Sequence, residues 1–140
     1  MILSAHDIIE SLDLAPHPEG GYYRRTFDNA TGPADRGKMS AIYYLLEQQG
    51  FALWHKFDAD EIWFWNAGAP LTIEVGREKA AQQIFELGPE LGSGQRPQAI
   101  IPANHWQRAR TNGAWTLVSC AVSPGFLFET LDLHMESRPD

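Results

Sequence analysis

The chain has 140 residues, 44% hydrophobic and 21% charged, which is the makeup of one ordinary globular domain (residues 1–140) and excludes a disordered chain. Its formal net charge is −7 with no visible basic patch, and no apolar run approaches the roughly 18 residues of a membrane span, so neither nucleic acid nor a membrane is expected as a partner. The single cysteine, Cys120, has no internal disulfide partner, and the first residues carry Asp7 and Glu10 but no basic stretch, so a cytoplasmic protein without a signal peptide is expected.

Ser4, with Asp7 three residues on, reads as a helix start, and Ile8, Ile9 and Leu12 recur at helical spacing, predicting one amphipathic helix over 4–13. Residues 14–21, LAPHPEGG, hold two prolines and two glycines and form a turn-rich exit. Strands follow at 22–27, 39–47, 51–57, 61–67, 71–75, 82–87, 98–101, 106–111, 115–122 and 126–133. Polar, turn-rich stretches at 28–38 and 88–97 read as surface loops. Ser123-Pro124-Gly125 reads as a type II turn, with Pro second and Gly third, and the tail 136–140 is expected to fray. About ten short strands with turns every 8–12 residues, and no second long helix, predict an all-β sandwich or barrel.

Chemistry concentrates in WHKFDADEIWFWNAG, residues 54–68. His55 and Glu61 flank a turn at Asp58-Ala59-Asp60, so two strands joined there bring both onto one inner wall. An imidazole and a carboxylate so placed can ligate a metal, share acid–base work, or satisfy each other and a polar ligand. Strand alternation groups Glu61 with Trp63 and Trp65, and a carboxylate beside two indoles has its pKa raised by desolvation. The competing reading is a hydrogen-bonded core histidine and a solvated turn glutamate.

A second group is IIPANHWQRARTNG, residues 100–113, where His105 and Gln107 share one face and Gln107, pointed inward, adds an amide to the same wall. His105 faces inward or sits at the rim. In HPEGGYYRRTF, residues 17–27, the paired glycines permit positive φ or close backbone approach. There Tyr22 or Tyr23, with Arg24 or Arg25, suits a carboxylate or phosphate; the competing reading is an ordinary loop leading into a strand. Cys120 lies in an apolar strand and reads as inert, and the chain lacks GxSxG, HExxH and CxxC motifs.

The spacing of His55, Glu61 and Gly68 resembles the first motif of the cupin superfamily, G(X)5HXH(X)3–4E(X)6G, with Phe57 at its second histidine. Pro102 and Asn104 echo the second motif, whose histidine falls on Gln107 and whose glycine falls on Asn104. The whole chain is similar to a small RmlC-like cupin subfamily long catalogued as a domain of unknown function. It shares with that subfamily the blocks at 17–25, 40–46, 55–68, 102–107 and 122–126, departing at Phe64, where histidine is frequent, and at Asn104.

The resemblance implies a double-stranded β-helix, or cupin jelly roll, a homodimer, and a ligand pocket in the barrel. By its similarity to RmlC-type sugar epimerases, it gives His55 the role of base. The expected function is binding of a small polar, sugar- or nucleotide-like ligand, with epimerase or isomerase chemistry that needs no metal. His55 and Glu61 are the expected catalytic residues, and Tyr23, Arg24, Trp63, Trp65 and Gln107 the expected ligand contacts. Two alternatives stand beside it. One is a metal-dependent oxygenase or isomerase with His55, Glu61 and Gln107 as ligands; the other is a non-catalytic dimeric binding module.

Overall fold

The computed structural model describes residues 2–48 and 50–134; the expected frayed tail lies outside them. One helix and eleven strands follow in order: α1 (Ala5–Leu12), β1 (Ala15–Pro16), β2 (Tyr22–Asp28), β3 (Ser40–Glu47), β4 (Ala52–Lys56), β5 (Asp60–Gly68), β6 (Leu71–Gly76), β7 (Gln83–Leu87), β8 (Gln98–Ile101), β9 (Trp106–Thr111), β10 (Trp115–Ser123) and β11 (Asp132–Leu133). They form two antiparallel sheets, ordered β1-β2-β3-β10-β5-β8 and β11-β4-β9-β6-β7. From β3 onward the chain crosses from one sheet to the other at every step except β6–β7, the jelly-roll arrangement the resemblance implies.

Alternation explains which side chains fill the space between the sheets. Along β10, Thr116, Val118, Cys120 and Val122 are buried while their neighbours are not. Tyr44, Leu46, Trp63, Leu71, Ile73, Ala109 and Val118 meet in one core, each strand sending every second residue inward. Helix α1 begins with the expected capping box, in which Ser4 Oγ accepts from Asp7 N and Asp7 accepts from Ser4 N. Its apolar side, led by Ile8, covers Leu45 on the outer face of the first sheet. No helix among the described residues is long and apolar enough to cross a membrane.

Three local expectations need correction. The exit 14–21 contains a two-residue strand, β1, paired with Tyr22 and Tyr23 of β2. The Ser123–Pro124 bond is cis, and Gly125 is not in the left-handed region, so no type II turn forms there. Gly125 is instead needed for close approach: its N–H donates to Gly37 O at 2.7 Å, and an added Cβ would stand 3.1 Å from that oxygen. Finally, 126–133 is not one strand but a 3-10 turn, Phe128–Thr130, followed by β11. Aromatic contacts compete with pairing here. The Phe126 ring packs edge-on against Phe57 at 5.1 Å and against Phe128 at 5.0 Å, which bends the chain over the barrel end.

Candidate functional site

The strand registers set the site. Across the inner face of the first sheet, Arg25 lies opposite Ile42, Ile42 opposite Cys120, and Cys120 opposite Trp63. In the next row Ser40, Val122 and Glu61 are neighbours. From the second sheet, His55 pairs with Gln107. The turn between His55 and Glu61 is pinned from outside: Arg36 holds Asp58 at 2.7 Å, Asp60 Oδ1 accepts from Ala103 N at 2.8 Å, and Asn104 N donates to Phe57 O at 2.8 Å. Asn104 takes φ 64°, a left-handed conformation that asparagine tolerates, so its place in a glycine position is met by the backbone.

His55, Glu61, Trp63 and Gln107 are all buried and lie together. Gln107 Nε2 donates to Glu61 Oε1 at 2.8 Å; the Trp63 indole N–H is shared between Glu61 Oε1 at 3.1 Å and Gln107 Oε1 at 3.0 Å. Glu61 is therefore not a solvated turn residue. Trp63, 1% exposed, is a fixed donor in the barrel floor and offers no open face for stacking.

The sequence singled out HPEGG as a loop but not its acid or its imidazole, and both enter the barrel. The two glycines make this possible. Gly20 and Gly21 have φ of 108° and 76°, and a Cβ on Gly20 would lie 2.3 Å from Phe51 O. The loop is also tied to the barrel by Leu53 N to Glu19 O at 2.7 Å and by Tyr44 Oη to Gly20 O at 2.5 Å. Glu19, 5% exposed, reaches His55, its Oε2 standing 3.0 Å from the ring Nε2. His17 Nδ1 accepts from Glu19 N at 3.1 Å, so a neutral His17 carries its proton on Nε2. A charged residue followed by two glycines was the available signal; its inward direction was not readable from a loop without periodicity.

Protonation follows from these contacts. His55 Nδ1 donates to Leu53 O at 2.7 Å, leaving Nε2 to face Glu19. One proton lies between the two groups. Burial raises the Glu19 pKa and lowers that of His55. Both effects place that proton on Glu19, as a carboxylic acid donating to a neutral imidazole. Glu61 is raised from 4.5 to about 7, chiefly by burial, against the pull of its hydrogen bonds from Gln107 and Trp63. Burial also pushes the Cys120 thiol and the Tyr44 phenol up, and the His17 imidazole down.

A cavity opens onto this cluster, lined by His17, Glu19, Tyr23, Arg25, Ser40, Phe57, Glu61, Cys120 and Phe126 among others. Its free volume is about 20 Å³, room for about one water molecule. His55 is not part of the lining; it stands behind Glu19. Tyr23 lies at the cavity, whereas Gln107, like His55, is not part of the lining and stands behind Glu61. Arg24 is not at the cavity: it pairs with Tyr43, faces outward, and reaches Leu12 O at 3.4 Å. The inward arginine is Arg25. Trp65 does face inward, but in the row of Tyr44 and Val118, and its indole N–H is bound to Ala69 O at 3.1 Å, away from the cavity. His105 bonds its own turn, Nδ1 to Ala103 O at 3.1 Å.

The donor set does not fit a transition metal of the usual cupin kind. Phe57 stands at one imidazole position. At another, Gln107 has its amide nitrogen on Glu61 and its oxygen on Trp63. No group of three or more His, Cys, Asp or Glu side chains among the described residues is arranged to hold a metal ion.

Fold and cluster together define a small single-barrel protein with a polar group buried in a jelly roll. The chain belongs to the Cupin superfamily (DUF985), whose sequence profile matches residues 6–134. A solved protein from Shewanella oneidensis is 36% identical over 95% of this chain and 85% of its own, with a TM-score of 0.87. A hypothetical protein from Leishmania major is 26% identical, over 94% of this chain and 88% of its own, with a TM-score of 0.84. A cupin-2 domain from Rhodospirillum rubrum, 14% identical with a TM-score of 0.63 over 89% and 76% of the two chains, shares the fold. No curated protein matches the chain.

Proposed function

We propose that this barrel binds a small polar ligand and moves a proton on it without a metal, as an isomerase or epimerase does. The observation that carries this reading is the pair of buried carboxyl groups, Glu19 and Glu61, lining one cavity, with an imidazole hydrogen-bonded behind the first. Apolar side chains would fill these positions at lower cost if the floor were only structural. Proton removal next to a carbonyl needs a base on the carbon and an acid on the oxygen. Glu61, with a pKa of about 7, accepts the proton as the C–H bond breaks, while Glu19 or His17 Nε2–H donates to the carbonyl oxygen. His55 acts through Glu19 as a positioning residue. The narrow interior admits one functional group, while the body of a sugar- or nucleotide-like ligand stays in the mouth.

The test is deuterium wash-in. Keto-sugars, nucleotide sugars and 2-oxo acids are incubated with the protein in deuterium oxide and followed by NMR. Exchange at a carbon next to a carbonyl is expected; in Glu61→Gln it collapses while affinity changes little. Ligands that bind but never exchange would overturn the catalytic reading in favour of a binding module.

The same proposal includes a homodimer in a reducing cytoplasm. Supporting the pairing, the outer face of the first sheet carries Phe27, Tyr43 and Ile100, which are 46%, 36% and 58% exposed. Ala41, Ala121 and Ile62 fill the row between Phe27 and Ile100. Light scattering should report two copies for the wild-type chain and one for Ile100→Glu; a wild-type monomer would refute the pairing.

A further inference from the structure

We propose that the mouth of the cavity is a carboxylate-binding subsite built from Arg25, His17, Tyr23 and Ser40, so that the ligand is a small organic acid. This deepens the reading of the barrel as a ligand cavity and rests on it. All four residues line the cavity, and each brings hydrogen-bond donors to it. His17 has its Nδ1 occupied by Glu19 N, and its Nε2–H meets no acceptor among the described residues although the side chain is 5% exposed. Ser40, 1% exposed, accepts from Phe126 N at 2.9 Å, which leaves its O–H without an acceptor. The Tyr23 O–H is in the same position, with its ring edge-on to His17 at 4.6 Å. Buried donors left unpaired are costly, and here two of them, with the half-buried Tyr23 hydroxyl, line one cavity with a guanidinium.

One oxygen of each nearby carboxyl is already engaged. Glu61 Oε1 takes two N–H groups, and Glu19 Oε2 faces the His55 ring. Arg25 is bound by Asp28 at 3.1 Å and donates to Phe126 O at 3.2 Å. The Asp28 pair is about a third exposed on each side, a weak bridge that a better partner displaces. What the cavity lacks is an acceptor-rich group that is flat and small. A carboxylate matches the planar fork of arginine and adds one charge. A phosphate would bring nearly two charges beside Glu19 and Glu61 with one cation to meet them.

The experiment is an amide-shift NMR titration of the intact chain with pyruvate, inorganic phosphate and glucose, run separately. Pyruvate should saturate in the millimolar range, with shifts centred on Tyr23, Arg25 and Ser40. Arg25→Gln should weaken it at least tenfold, and Arg25→Lys, which keeps the charge but loses the fork, should fall between. Native spectra of both variants check the fold. Tighter binding of phosphate or glucose, no saturation by pyruvate, or an unchanged titration in Arg25→Gln would each overturn the subsite. Deuterium wash-in on the same pyruvate sample separates the two claims. Binding that depends on Arg25 without wash-in keeps the subsite and sinks the proton-transfer reading; wash-in indifferent to Arg25 does the reverse.

Discussion

Replacing Glu61 by glutamine should stabilise the protein, and only at neutral to alkaline pH. The native carboxyl titrates at about 7, against 4.5 for the ordinary glutamate. Between those two values the native state holds a proton that the unfolded chain has released. Stability therefore falls as pH rises through this window and is flat on either side. At roughly 1.4 kcal/mol for each tenfold, the interval corresponds to about 3 kcal/mol, with no discount for solvent because the group is buried. The glutamine keeps an oxygen for the Trp63 and Gln107 donors, so the shape of the network survives. In urea, with a slope near 2 kcal/mol per molar, the variant's midpoint should exceed wild type by about 1.5 M at about pH 8 and match it near pH 4. Glu19 titrates with the same sign, and His17 and His55, with lowered pKa values, lose stability as pH falls, but all three are present in both proteins and leave the difference to Glu61. A difference between the two proteins that stays constant across this range would refute the account of Glu61 as a buried, under-compensated acid.

Trp63→Phe removes the indole N–H that bridges Glu61 and Gln107, leaving two buried acceptors short of a donor; thermal or urea unfolding should show a loss of about 2–4 kcal/mol. Gly68→Ala should cost at least about 2 kcal/mol, because φ is 89° and the new Cβ would stand 2.5 Å from Trp115; a native-like melting temperature would contradict this. Ser4→Ala breaks the capping box and should cost about 1 kcal/mol in the same assay, with the barrel otherwise intact.

Most of the fold was legible because strand alternation and turn chemistry are local. The helix, its cap and nine of the expected strands lie where the residues put them, to within a residue or two at the ends. The stretch 126–133 misled because its Phe126 and Phe128 read as strand formers, whereas their rings close the barrel end. Half of the site was legible for the same local reason: alternation groups Glu61 with Trp63, and pairing brings Gln107 to His55. Parity could not tell Arg24 from Arg25, since the choice depends on register against β3, where Arg25 meets Ile42 on the inner face. Glu19 and His17 arrive from a loop, and only the glycine conformations and the Leu53 and Tyr44 bonds turn them inward.

The two buried carboxyls are distinguished by the kind of partner each has. Glu61 Oε1 receives two N–H donors, which favour its anion. Glu19 faces an imidazole nitrogen whose ring proton is fixed on the other side by Leu53 O, so its partner is an acceptor and favours the acid. Both carboxyls face one cavity, and these partners favour ionisation of Glu61 over Glu19, the division that the proposed proton transfer needs. Gln107 is central to that division. An amide can donate to Glu61 and accept from Trp63 at once, which a neutral imidazole in its place would have to do with two nitrogens in a fixed ring geometry. Phe57, at the other imidazole position, adds the apolar wall that desolvates the pair and packs against Phe126 at the mouth. The two departures from the histidine pattern thus work together: they withdraw imidazoles from the barrel wall and leave two buried carboxyls facing one cavity.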